Sequence, residues 1–149
     1  MPSLTQLLHQ EHQECDSRNA IAEEASLSGD LDNARDPVLI AVQENLRHFR
    51  IEEELLFPAF EKATGMTGGP TQVMRMEHQQ MKGLLEDMRQ ALLLGNLSRI
   101  PKVCETLLFL MQQHNLKEEN ILYPMMDQHL GNQVETLIEQ VKNFPRDKY

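Results

Sequence analysis

The stretch His114-Asn115-Leu116-Lys117-Glu118-Glu119-Asn120-Ile121-Leu122-Tyr123-Pro124 decides how this chain folds. Read as a helix, it sets His114 and Glu118 one turn apart on one face, where both side chains can grip the same metal ion. The rest of that face is apolar: Leu107, Leu110, Met111, Ile121, Leu122 and Met125 form a core-facing seam into which an imidazole and a carboxylate are set. A buried carboxylate without a partner is costly, so Glu118 requires one. The phrase occurs earlier as His48-Phe49-Arg50-Ile51-Glu52-Glu53-Glu54-Leu55-Leu56-Phe57-Pro58, offset by 66 residues (114 − 48). Glu11-His12-Gln13 returns at the same offset as Glu77-His78-Gln79, and each lone histidine precedes its His-x3-Glu phrase by 36 residues (48 − 12 and 114 − 78). A single His-x3-Glu on a helix is common and usually a surface ion pair. Residue type, spacing and order repeated at two levels instead make the chain a duplicated helical hairpin.

Composition agrees with helices. At 149 residues the chain is a single domain by size, 1–149, long enough to bury a core. Aromatic residues make up only 5%, there is no Trp, and nine Met accompany leucine-rich periodic segments, all of which favour an all-α bundle over a sheet protein. A net charge of −9 argues against nucleic acid or an anionic membrane as partner, because either would be repelled. No apolar run approaches the length of a membrane span and the N-terminus carries no basic region ahead of an apolar signal core, so a cytoplasmic location is expected. Cys15 and Cys104 make neither a disulfide framework nor a CxxC pair, and are read as reduced core thiols.

Taken in order, the first hairpin covers about 3–64 and the second about 71–130. Ser3 is the expected cap of a helix that Gly29-Asp30 ends, with Leu4, Leu7, Leu8, His12, Cys15, Asn19 and Ala22 inside. Asp36-Pro37 reads as cap and first residue of the second helix, which runs to about Thr64 with Ala41, Asn45, His48, Glu52 and Leu55 or Leu56 inward. Pro58 and its twin Pro124 each fall within a helical pattern and should kink it. The glycine-rich stretch from Gly65 to Pro70 joins the hairpins and resembles no phosphate loop, since no Lys follows it. A third helix, Thr71 to Leu94, carries Met74, His78, Met81, Leu85 and Met88 inward, and Gly83 within it suggests a close helix contact. Ser98 is the expected cap of the fourth helix, which has Pro101 in its first turn and reaches Leu130. Residues 132–143, with Val134, Leu137, Ile138 and Val141 in helical spacing, form a short fifth helix, and the tail from Pro145 is expected to fray.

Short connections between four long helices imply an antiparallel up-down-up-down four-helix bundle with a short C-terminal fifth helix. In that arrangement His12, His48, Glu52, His78, His114 and Glu118 converge as candidate metal ligands. Imidazole with carboxylate suits iron or manganese, and zinc less distinctively. Six donors suit two ions: His12 and His48 on one, His78 and His114 on the other, Glu52 and Glu118 bridging, with an oxo or hydroxo bridge from solvent and one position open to O2, NO or peroxide.

The set His12, His48-x3-Glu52, His78, His114-x3-Glu118, with its Leu-Phe-Pro and Leu-Tyr-Pro tails, resembles the haemerythrin-like HHE cation-binding family over nearly the whole chain. The resemblance implies a four-helix bundle with a non-haem di-iron centre as cofactor. Ferritin-like di-iron bundles use Glu-x2-His, a different order. Oxygen-carrying haemerythrins use five histidines, two of them one turn apart on the third helix; here Lys82 stands one turn after His78 and cannot replace an imidazole. The four-His, two-Glu set is more similar to iron–sulfur-repair di-iron proteins and to HHE-type sensors of iron or oxygen. Three roles follow: a protein that binds or senses a small ligand, a di-iron oxidoreductase or iron donor to damaged clusters, or a structural or storage bundle. No additional acid or base marks a catalytic residue.

Other residues have plainer readings. His9 lies on nearly the same face as His12 and is open as a fifth ligand or a neighbour of the ligands, but its repeat position is Arg75, which favours a non-ligand. His129 suits a helix C-terminus. Glu53 and Glu119, about 100° round from the ligand seam, are read as solvated or as acceptors orienting an imidazole. Phe57 and Tyr123 are read as packing around the kinks, with the Tyr123 hydroxyl within reach of the pocket. Met74, Met81, Met88, Met111 and Met125 read as core filler.

Overall fold

A computed structural model describes residues 2–146 and is all-helical, with no strand among them. α1 (Leu4–Leu27) packs on α2 (Leu31–Ile51) and α5 (Arg99–Lys117), and α4 (Pro70–Leu93) packs on the same two, closing a ring of four antiparallel helices. α2 continues through a wide turn, Glu52–Leu56, into α3 (Phe57–Thr64); α5 continues through Glu118–Leu122 into α6 (Tyr123–Leu130). A short 3₁₀ turn, Gly131–Gln133, then leads to α7 (Val134–Lys142), the expected fifth helix. Among the described residues no helix is long and apolar enough to cross a membrane.

The helix caps follow local chemistry, and two differ from expectation. Ser3 caps α1 as anticipated, its hydroxyl accepting from the Gln6 N–H at 3.1 Å. α2 begins upstream of Asp36-Pro37: the Asp30 carboxylate accepts from the Asp32 and Asn33 N–H groups at 3.0 and 3.5 Å, so the helix starts at Leu31 and runs through Pro37. A stronger cap outweighed the cost of a proline inside the helix. Ser98 precedes α5 but makes no capping bond, its hydroxyl donating instead to Asn96 Oδ1 at 3.0 Å. Gly65 ends α3 with φ +72°, the left-handed conformation that a side chain disfavours.

The two prolines act one turn earlier than a simple kink. Ahead of each, the helix widens into a π turn, with Phe57 N–H bonding to the Glu52 carbonyl and Tyr123 N–H to that of Glu118. Pro58 and Pro124 lack the N–H that a regular ladder requires, and widening the turn absorbs that loss. The added residue rotates everything downstream by about 100°. Ile121, expected in the seam, is therefore 57% exposed, and Met126 replaces Met125 as the fully buried methionine.

Two apolar clusters fill the bundle. One gathers Val38, Val42, Phe49, Leu85, Met88 and Ile100; the other gathers Leu4, Leu8, Ile51, Phe60, Tyr123 and the buried face of α7. A polar layer lies between them on all four long helices. Val134, Leu137, Ile138 and Val141 of α7 are buried as the spacing indicated. Arg47 of α2, itself buried, donates to the Val141 and Phe144 carbonyls at 3.4 and 2.9 Å and so holds the end of α7. In the tail expected to fray from Pro145, Arg146 pairs with Glu44, while residues 147–149 lie outside the described residues.

Gly83 does not mark a close contact. It is exposed in the middle of α4, and a Cβ there meets nothing within 4 Å. Gly83→Ala should therefore stabilise the protein by about 0.5–1 kcal/mol. Urea unfolding checks this, and a destabilised variant would reveal a contact that the fold does not show.

Candidate metal centre

All six predicted donors meet in the polar layer, none more than 4% exposed. α1 carries His12, α2 carries His48, α4 carries His78 and α5 carries His114, while Glu52 and Glu118 open the two wide turns. His12 Nε2 lies 3.1 Å from His48 Nε2, and the rings of His78 and His114 lie 4.9 Å apart. The carboxylates span the two pairs. Glu118 reaches His12 Nε2 with Oε1 and His114 Nε2 with Oε2, both at 3.2 Å; Glu52 Oε1 lies 3.4 Å from His48 Nε2 and 3.1 Å from His78 Nε2. Glu52, His78, His114 and Glu118 each offer one donor atom within a 4.8 Å cluster, and His12, His48 and Glu118 do the same. Glu52 Oε1, His78 Nε2, His114 Nε2 and Glu118 Oε2 are buried with no hydrogen-bond partner. Four such orphans in one layer are what a cation-binding cage leaves when it is described without its ions.

Behind each imidazole stands another carboxylate. Nδ1 contacts Glu119 at 2.7 Å in His12, Glu11 at 3.2 Å in His48, Glu53 at 2.6 Å in His78 and Glu77 at 2.8 Å in His114. Such a bond fixes the Nδ1–H tautomer, turns Nε2 inward as a lone-pair donor and raises its basicity. Each of these carboxylates is held in turn by a basic group. His9 contacts Glu119, Lys82 donates to Glu53 at 2.8 Å, Lys117 to Glu77 at 2.5 Å, and Arg47 lies 3.6 Å from Glu11. His9 thus serves the carboxylate behind His12 and stands half-exposed outside the cluster. Lys82, where five-histidine proteins have an imidazole, anchors Glu53. Glu53 and Glu119 orient imidazoles, as their spacing suggested. The matching role of Glu11 and Glu77 was missed, although both recur at the repeat offset immediately before His12 and His78.

Burial and paired charge govern the electrostatics. Burial acts to raise Glu53, but hydrogen bonds from His78 and Lys82 outweigh it and hold the carboxyl down to about 2. Glu11 and Glu77 are likewise held below the usual range, burial being overcome by His48 and Arg47 at one and by Lys117 and His114 at the other. Of the inner carboxylates, Glu52 is raised by burial and by the charge of Glu118. Glu118 is held well below the ordinary value because His114 and the hydrogen bonds around it outweigh burial. Burial pushes Cys15 and Cys104 up to about 12, so neither is a thiolate at neutral pH.

Burial opposes charging of His48 and His78, yet the glutamates around them lift both from 6.5 to about 9 in the absence of metal. A histidine raised in the folded state contributes stability that is fully present below its unfolded value and lost as pH rises through the folded one. The metal-free protein should therefore lose stability between pH 6.5 and about 9. Thermal unfolding in chelator across that range checks this; a midpoint that is flat or rises would contradict the buried imidazolium–carboxylate network.

Tyr123 enters the layer itself. Its hydroxyl lies 2.7 Å from Glu52 Oε2, 2.8 Å from Glu118 Oε1 and 3.0 Å from His12 Nε2. On a regular helix Glu118 and Tyr123, five residues apart, point about 140° apart, and only the wide turn brings them together. Burial and the two glutamates push the phenol well above its ordinary range, so it remains a proton donor. Phe57, the twin of Tyr123, stacks on His78 with ring centroids 5.7 Å apart. His129 lies at the end of α6 against Phe60, apart from the cluster.

The chain matches the family model of the Hemerythrin HHE cation binding domain over residues 3–126. No curated protein and no solved structure matches.

Proposed function

Because the chain belongs to the haemerythrin HHE cation-binding family, we propose that its buried His/Glu layer holds two iron ions that bind or sense a small ligand: O2, NO or peroxide. His12 and His48 would hold one ion, His78 and His114 the other, with Glu52 and Glu118 shared. The observation that carries this reading is the set of buried orphan atoms, Glu52 Oε1, His78 Nε2, His114 Nε2 and Glu118 Oε2. Buried polar atoms are rarely left unpaired, and two cations would satisfy all four. Glu118 also directs one oxygen to each histidine pair, which suits a carboxylate shared between two ions. The mixture of imidazole and carboxylate, without thiolate, favours iron over zinc.

Bound iron would supply a redox-active centre with a position open to a diatomic or peroxide. The chain itself supports such a centre in three ways. Its apolar clusters exclude bulk water on both sides of the layer. The outer carboxylates lock each imidazole with Nε2 inward. Burial of all six donors restricts access to a ligand of a few atoms.

Metal content per chain, measured on protein from iron-supplemented cells, tests the reading when followed by optical spectra through anaerobic reduction and return to air. Close to two irons per chain, with near-ultraviolet charge-transfer bands that bleach and recover, is the expected result. One zinc, or no metal, would overturn it.

A further inference from the structure

Two cavities reach a histidine of the layer from outside, and the duplication has produced both. One, of about 30 Å³, lies over His48 between Glu11, Cys15 and Glu44; the other, of about 40 Å³, lies over His114 between Glu77, Met81 and Leu110. Each residue of the second stands 66 positions after its counterpart in the first (114 − 48, 77 − 11, 81 − 15 and 110 − 44). Both have room for a water molecule. Each ends on a ring whose Nδ1 meets the carboxylate beside it, Glu11 for His48 and Glu77 for His114.

The likeness stops at the closures. Arg47 lies 3.6 Å from Glu11, and its guanidinium also donates to the Phe144 and Val141 carbonyls at 2.9 and 3.4 Å, its side chain being only 8% exposed. The guanidiniums of Arg47 and Arg50 stand 5.9 and 5.2 Å from the centre of the Phe144 ring, and Arg146, paired with Glu44, lines the cavity itself. The segment after α7 is thus strapped across the first cavity. At the second, Gln113 stands in the position of Arg47 and Leu110 in that of Glu44, and none of its lining residues comes from α7 or beyond. Its carboxylate, Glu77, is held by Lys117, which is 49% exposed. A guanidinium fixed by several bonds yields less readily than an ammonium on a flexible stem in water.

The six donors are at most 4% exposed, so an ion reaches or leaves the layer only when an imidazole swings aside and water follows. That swing requires the outer carboxylate to release Nδ1. The Nδ1 contact alone would make His114 the firmer of the two, at 2.8 Å against 3.2 Å for His48. The strap reverses that order.

We propose that these twin cavities are ports through which divalent metal enters and leaves the layer, the His114 port being open and the His48 port latched. Arg47 is the positioning residue of the latch, tying Glu11 to the segment after α7. The ion at His78 and His114 is therefore the exchangeable one, and the ion at His12 and His48 is retained. This rests on the two-iron reading above, and the test separates the two.

Iron content is measured first, and a wild-type protein that does not load two irons refutes the two-iron reading and this inference with it. The loaded protein is then reduced without air and mixed with excess ferrozine, and release is followed by the colour of the ferrous complex. Two phases of equal amplitude are expected; a single phase overturns the proposal. Protein recovered between the phases and crystallised should keep its anomalous iron peak beside His12 and His48, whereas a peak kept beside His78 and His114 overturns it. Arg47→Gln places at 47 the residue already present at its twin. It should speed the slow phase at least about tenfold and leave the fast phase alone. A slow phase that does not change overturns the proposal, and so does an equal gain in both phases, which a general loosening of the bundle would give. Should Arg47→Gln fail to fold or load, Arg146→Ala at the exposed edge of the cavity decides: the slow phase alone should quicken, and an unchanged slow phase overturns the proposal.

Discussion

Glu118→Ala is expected to empty both metal positions together. A terminal ligand serves one ion, whereas Glu118 presents one oxygen to His12 and the other to His114. Its removal should cut metal content to less than about a tenth, since changing even a residue that merely supports a ligand lowers metal affinity 10–100-fold. It also withdraws the negative charge facing His114, a buried imidazole raised above its ordinary value. Breaking a buried pair on one side costs about 3–5 kcal/mol. Glu52→Ala should behave alike, because Glu52 lies against His48 and His78. Metal analysis and urea unfolding of both variants check this. Full metal content in either would remove that glutamate from the bridging role.

Removing the metals from the wild type should by itself cost more than the roughly 3–5 kcal/mol of one broken buried pair. A site that binds only the folded chain contributes about 4 kcal/mol when free metal exceeds its dissociation constant a thousandfold. Two such sites in a domain of this size correspond to a fall in Tm on the order of 20 °C on chelation. Loss of hydrogen-exchange protection should be concentrated around the polar layer, where four buried atoms would lose their partners. The apolar clusters on either side keep the bundle assembled, so a metal-free protein that still melts cooperatively, at a lower temperature, is expected. A shift of only a degree or two would mean that the layer holds no ion of consequence.

The donors were legible in the sequence because the duplication wrote each of them twice. His12 with His78, His48 with His114 and Glu52 with Glu118 need no knowledge of the fold to be paired. Their inward direction followed from helical periodicity, which holds as far as Glu52 and Glu118. Beyond those residues periodicity failed. The wide turns are not visible in a 3.6-residue pattern, so Ile121 was placed inside and the Tyr123 hydroxyl only within possible reach of the layer. Proline six residues past the ligand glutamate, twice, was the available sign of an irregular turn. Glu11 and Glu77 were visible as repeats, but their role depends on contact between neighbouring helices, since each serves the histidine of the next helix. Asp36 was read as the cap of α2 because Pro37 follows it, whereas Asp30, read only as the end of the first helix, is the residue that caps it. Arg47, which ties α7 to the carboxylate behind His48, has no twin, its repeat position being Gln113, and so carried no such signal.

The most direct test of the central claim is anomalous diffraction at the iron edge from crystals of the iron-loaded protein. Two peaks about 3.5–4 Å apart, one beside His12 and His48 and the other beside His78 and His114, with Glu52 and Glu118 between them, is the expected result. A single peak, or peaks at the outer carboxylates Glu11, Glu53, Glu77 or Glu119, would contradict it.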